Sequence, residues 1–176
     1  MGIVPRATQD DPVYLDSFKP ATLDLLCQAE AVCTRRGVRL TDVRRQVLGM
    51  VLDNARPSGA YDMLDRLRAQ HKGAAPPTIY RALDFLLDQG LIHKVERLSA
   101  YVGCVHEHAD SCRTAHHHAV QFLICRRCGL VEELSDLAIG RALTNAASGR
   151  GFTVQASTVE VDGLCAACAQ DAQPDD

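Results

Sequence analysis

Four of the eight cysteines fall into two Cys-x-x-Cys pairs, Cys125 with Cys128 and Cys165 with Cys168. Four thiolates in that paired spacing are what a closed, tetrahedral structural zinc site takes. Each pair follows an apolar stretch (residues 120–124 and 154–164) and runs into small or turn-permitting residues, the pattern of zinc knuckles at strand ends. Two other chemistries use such pairs. A redox dithiol of the thioredoxin kind is followed by a long helix, whereas Gly129, Leu130 and Val131 follow Cys128 and an acidic tail follows Cys168. Two disulfides would need an oxidising compartment. Residues 1–11 hold no apolar leader core, and no apolar run approaches membrane-spanning length, so the expectation is a cytoplasmic chain with reduced cysteines. A zinc deaminase would carry His-x-Glu followed by Pro-Cys-x-x-Cys; Ile124, not proline, precedes Cys125, and no enzyme is expected. A second ligand-rich tract holds Cys104, His106, His108, Cys112, His116, His117 and His118.

These groups are carried by a chain of 176 residues, 47% hydrophobic and 23% charged, an ordinary globular composition. The formal net charge of −3 is unevenly spread. Residues 35–97 hold 12 Lys and Arg against 7 Asp and Glu, while residues 98–176 hold 5 against 10. A basic segment followed by an acidic, metal-rich one implies two domains with different partners.

The elements that must position the ligands follow from periodicity and punctuation. Residues 1–20 mix Pro, Asp and Thr without period and predict a flexible arm; 171–176 predict a disordered tail. A helix is predicted over 22–36, with Leu25, Ala29, Val32 and Arg36 on one face and Gly37 as its stop. Cys27 and Cys33 within it read as small core residues. Thr41 N-caps a second helix through Val43, Val47, Leu48, Val51 and Leu52; a third starts near Ser58; a fourth opens at Pro76-Pro77 and closes at Gly90. Short β-rich runs at 91–95 and 101–102, joined by a polar turn, complete a winged helix-turn-helix over 21–102. Residues 103–118 form a hinge and ligand-rich loop. The remainder, 119–170, reads strand (120–124), knuckle, strand (129–133), helix (135–147), long strand (152–161), knuckle, giving an α+β chain of two domains.

The fourth helix carries Thr78, Tyr80 and Arg81 in its first turns, the end that enters the major groove, where Arg pairs bidentately with guanine and an aromatic ring packs on a thymine methyl. Leu83, Leu86 and Leu87 would face the core. A core Tyr80 and a solvated Arg81 are the alternative; the hairpin that follows at once favours DNA. Lys94 and Arg97 on the wing, with Arg44 and Arg45 on the second helix, are candidate phosphate contacts.

Residues 38–45, the stretch 76–83, the hairpin entry 91–95 and both cysteine pairs, in that order, resemble the ferric uptake regulator family, and most closely its zinc uptake regulator branch. The resemblance covers about residues 22–168. It implies a metal-dependent transcriptional repressor, active as a metal-loaded homodimer on a palindromic double-stranded operator. The N-terminal part would be the winged helix and the C-terminal part an α/β dimerisation domain with the structural zinc. By position it also implies His93, Cys104, His118 and Glu133 as regulatory zinc ligands, so that each chain takes one structural zinc and at least one regulatory zinc. One sulfur, two nitrogens and an oxygen suit zinc better than iron or manganese; a paralogue sensing iron, manganese or peroxide is the alternative. The tract of His106, His108, Cys112, His116 and His117 exceeds the family minimum. It reads either as a third zinc site or as a His-rich loop that only buffers metal.

Overall fold

The computed structural model describes residues 18–104 and 120–171. Helix α1 (Pro20–Arg35) starts with Pro20 at a position that needs no N–H and stops at Gly37, whose φ of 69° admits the left-handed cap. Its Val38 and Gly37 amides bond the carbonyls of Cys33 and Thr34. The buried stripe is Thr22, Leu26, Ala29, Val32 and Cys33. Of the predicted face Ala29 and Val32 are buried, but Leu25 is 43% exposed and Leu26 takes its place; Cys27 is exposed while Cys33 is buried.

Helix α2 (Asp42–Asp53) buries every residue from Gln46 to Met50, because it lies centrally against its neighbours. A two-residue strand β1 (Ser58–Gly59), not anticipated, precedes α3 (Ala60–Gln70). Helix α4 (Pro76–Asp88) buries Ile79, Ala82, Leu83 and Leu86 at i, i+3, i+4 and i+7, and Gly90, at φ 64°, ends it with Leu91 and Gly90 amides on the Leu86 and Leu87 carbonyls. Strands β2 (Ile92–Val95) and β3 (Ala100–Gly103) pair antiparallel around a 3-10 turn, Glu96–Leu98, and β1 adds to the far edge of β3. The wing is thus a three-stranded sheet anchored on the helices through β1, rather than a bare hairpin.

The second lobe is a sheet in the order β5-β4-β6: β4 (Val120–Cys125) pairs antiparallel with β5 (Val131–Leu134) and parallel with β6 (Thr158–Gly163), with α5 (Leu137–Ser148) between β5 and β6. The strand predicted from residue 152 begins at Thr158, since the register sets Thr158 opposite Val120 and the preceding residues have no described strand to pair with. A short helix α6 (Ala166–Gln170) follows the second cysteine pair. The large core lies among α1 to α4. A smaller cluster joins the lobes: Val95 of the wing is buried with Val120, Phe122 and Ile124 of β4, flanked by Val102 and Val131.

Candidate metal centres and DNA-facing helix

Parallel pairing of β4 with β6 brings the ends of both strands together, and the cysteine pairs sit there. The Cys125 amide bonds the Leu130 carbonyl at 2.8 Å and the Gly129 amide returns to Cys125 at 2.9 Å, folding the first knuckle; the Arg126 amide bonds Gly163 at 2.9 Å, tying it to β6. Cys165 caps α6 and Cys168 lies one turn along it. The Arg127 guanidinium donates to the Cys168 carbonyl at 3.1 Å, fastening the first knuckle to α6. The four sulfurs lie within 4.8 Å of one another, with Cys128 and Cys165 Sγ 3.7 Å apart. A disulfide would bring sulfurs to about 2.05 Å. Tetrahedral thiolates at about 2.3 Å from a zinc ion are separated by about 3.7 Å, so the donor set fits that cation.

Electrostatics agree. Hydrogen bonds from the backbone of Cys165 first, and then of Cys128, draw the Cys125 thiol down to about 6. The Cys168 thiol is pushed up to about 12, chiefly by its hydrogen bond with Cys165 and then by burial. One thiolate forms readily and a further one is opposed, which is the charge problem a divalent cation removes.

The second centre spans the lobes. His93 lies on β2 opposite Val102, and Cys104 follows β3 with its amide on the Leu91 carbonyl at 3.2 Å. Glu133 lies on β5 opposite Phe122. Ligand atoms of His93, Cys104 and Glu133 lie within 4.8 Å of one another, and His93 Nε2 is 3.7 Å from Glu133 Oε1. The His93 ring meets Phe122 edge-on at 6.0 Å between centroids. Glu133 is largely buried, unlike its exposed neighbour Glu132, because alternation along β5 turns it inward. A nitrogen, a sulfur and an oxygen at these separations supply three corners of a tetrahedral zinc site. His118, together with His106, His108, Cys112, His116 and His117, lies outside the described residues.

On α4, Tyr80 is 40% exposed and Arg81 is exposed with no ion pair among the described residues. Thr78 Oγ1 accepts from the Ala75 amide at 3.3 Å, helping to start the helix. Lys94 pairs with Glu96 within the wing at 2.6 Å. Three basic side chains expected at phosphate also have partners within the chain. The Arg44 guanidinium stacks 3.6 Å above the Phe85 ring and donates to the Arg39 carbonyl. Arg45 bonds Glu30 of α1 at 2.7 Å, and Arg97 bonds Asp162 of β6 at 2.9 Å. Nearby acids and an aromatic face satisfy these cations in the fold.

Sequence reasoning passed over Glu160 and Asp162. Their signal was alternation: two acids two apart on β6 share a face.

The ferric uptake regulator family model matches residues 35–162. The zinc uptake regulation protein of Escherichia coli (strain K12) is 42% identical over 152 residues, covering 86% of this chain and 85% of its own length. That of Mycobacterium tuberculosis is 30% identical over 137 residues, covering 75% and 95%. A solved zinc uptake regulator complexed with zinc and DNA is 41% identical, with a TM-score of 0.78 over 87% of this chain and 98% of its own. Holo XcZur is 43% identical, with a TM-score of 0.74 over 84% and 98%. With the family model matching residues 35–162 and a zinc uptake regulation protein 42% identical over 86% of this sequence, the chain belongs to the ferric uptake regulator family.

Proposed function

We propose that this protein is a zinc-responsive, DNA-binding transcriptional repressor of zinc-uptake genes that acts in the cytoplasm as a metal-loaded homodimer, and that it is not an enzyme. The observation that carries the proposal is the second ligand cluster, in which His93 belongs to the wing and Glu133 to the other lobe. Bound there, zinc would supply a bond between the lobes; Cys104, at the start of the hinge, would be its sulfur ligand, and His118 the fourth. Cys125, Cys128, Cys165 and Cys168 would hold the structural zinc.

The rest follows from the chain's own residues. Residues 21–102 present Thr78, Tyr80, Arg81 and Lys94 on the DNA-facing side. Residues 103–118, of which 105–118 lie outside the described residues, would be the hinge, and 119–170 the dimerisation domain. A helix with an apolar side needs something to cover it. Helix α5 buries no residue within the single chain, and Leu137 and Phe152 are 75% and 67% exposed, a surface suited to a second copy. A dimer must set two recognition helices about one DNA turn apart, so holding the hinge at one angle raises operator affinity, by about 1–3 kcal/mol for coupling of ordinary size. No described helix is long and apolar enough to cross a membrane.

The deciding experiment isolates duplexes retained by the zinc-loaded dimer, then measures fluorescence anisotropy of one of them with protein stripped of its exchangeable metal. Binding restored by buffered zinc, and not by iron(II) or manganese(II), is expected. Equal restoration by iron or manganese would establish the paralogue alternative, and metal-independent binding would remove the sensing role.

A further inference from the structure

Among the described residues, two separate places make polar contacts between the lobes. One is the His93, Cys104 and Glu133 cluster. The other is on β6, where Glu160 Oε1 accepts the Glu96 amide at 2.6 Å and Oε2 accepts the Arg97 amide at 3.1 Å. Asp162, two residues on, accepts the Arg97 guanidinium at 2.9 Å. One carboxylate therefore holds two successive backbone N–H groups of the wing turn, and its neighbour holds the side chain of the same turn. Charge-assisted bonds of this kind are short and directional, and a two-oxygen grip fixes orientation as well as distance.

Beside the two places Val95 of the wing, fully buried, packs into one apolar cluster with Val120, Phe122 and Ile124 of β4. A cleft of about 270 Å³, lined among others by Asp88, His93, Phe122 and Thr158, opens beside the wing. His93 and Glu96, one from each polar place, both line that cleft. None of the β6 contacts uses a metal ligand.

We infer that Glu160 is a positioning residue. With Asp162 it latches the wing turn onto β6 independently of the regulatory cation, and so pre-sets the angle at which His93 meets Glu133. The inference deepens the proposed function and rests on it for the zinc response, though not for the latch itself. A ligand that binds one arrangement of a hinge has an apparent affinity scaled by the fraction of molecules already in it. Loss of the latch therefore lowers zinc affinity at the exchangeable site, while the number of ions bound at saturation is unchanged. It also lowers operator affinity at sub-saturating zinc, and the deficit closes as zinc saturates. A metal ligand would behave otherwise, since its loss lowers stoichiometry.

The test compares the parent, Glu160→Ala and Glu160→Gln, all retaining the tightly held zinc. Small-angle X-ray scattering of the protein stripped of exchangeable metal reads the lobe arrangement, and chelator competition reads zinc affinity. Glu160→Ala is expected to enlarge and broaden the scattering envelope and to weaken exchangeable zinc by about tenfold. Glu160→Gln, which keeps the shape and can still accept one amide, is expected to do so less. Envelopes and zinc affinities equal to the parent's in both variants would overturn the latch. If Glu160→Ala does not fold, judged by circular dichroism, Glu160→Gln decides alone. Should the parent bind no exchangeable zinc, the proposed function fails, and the scattering comparison still decides whether Glu160 holds the lobes.

Discussion

Cys128 Sγ and Cys165 Sγ lie 3.7 Å apart although 37 residues separate them along the chain. The contact closes a loop through β5, α5 and β6, and the four-cysteine cluster ties the ends of β4 and β6 to one point. Cys128→Ser should therefore act on the fold of the second lobe. Loss of the tightly held zinc and a destabilisation of about 3 kcal/mol or more are expected. Zinc content together with thermal unfolding checks this; a variant that keeps both its zinc and its unfolding temperature would refute the structural assignment.

Cys104→Ser should behave differently, because Cys104 sits at the junction of the lobes and outside both cores. The expected variant is a folded dimer that retains one zinc per chain but loses most of its zinc-dependent operator affinity, about 1–3 kcal/mol. Paired measurements of melting and anisotropy would separate it from Cys128→Ser. Equal loss of stability in both would end the division of labour between the two centres.

Arginines 81 and 45 offer a contrast within one surface. Arg81 is exposed on α4 and unpaired among the described residues, whereas Arg45 is bonded to Glu30. Arg81→Ala should weaken operator binding by about 1–3 kcal/mol with zinc content and melting unchanged. Arg45→Ala should instead cost about 1 kcal/mol of stability through the lost tie between α2 and α1. Anisotropy and denaturant titration of both variants would show reversed effects if the assignment is wrong.

Asp53 joins the end of α2 to the start of α1. Its carboxylate accepts the Lys19 amide at 3.1 Å and the Thr22 hydroxyl at 2.8 Å, and these bonds, the amide first, hold its pKa below the ordinary value of 3.8. A carboxyl depressed in the folded state contributes stability above its unfolded pKa and loses it as pH falls through the folded value. Asp53→Ala should thus cost about 1 kcal/mol near neutral pH. The gap from the parent should narrow below about pH 4, and urea unfolding at several pH values reads it; a gap that widens on acidification would contradict the assignment.

The four-cysteine site was legible because its information is local. Two Cys-x-x-Cys pairs specify a turn that can present two sulfurs to one ion, whatever surrounds them. The helix stops at Gly37 and Gly90 were legible for a similar reason, since both glycines sit at positive φ where a side chain would be strained. Buried faces were less secure: Leu25 and Leu26 are equally apolar, and only packing against α2 decides which points inward. Ligands on separate elements are harder still. The family resemblance supplied His93, Cys104, His118 and Glu133 as a set, and the meeting of the three described ones goes with Val95 of the wing seating in one cluster with Phe122 of β4.

From its residues alone the chain determined a winged helix, a sulfur-rich metal site and the punctuation of its helices, all set by short-range spacing and backbone stereochemistry. Tertiary structure alone decided where charge goes. Arg44, Arg45 and Arg97 look in sequence like cations for phosphate, and each is held by a partner at least five residues away, Arg97 by Asp162 some sixty residues on. Coulombic and hydrogen-bond pairing depends on distance in space, and nothing in local spacing records which distant acid a folded chain will bring within about 3 Å.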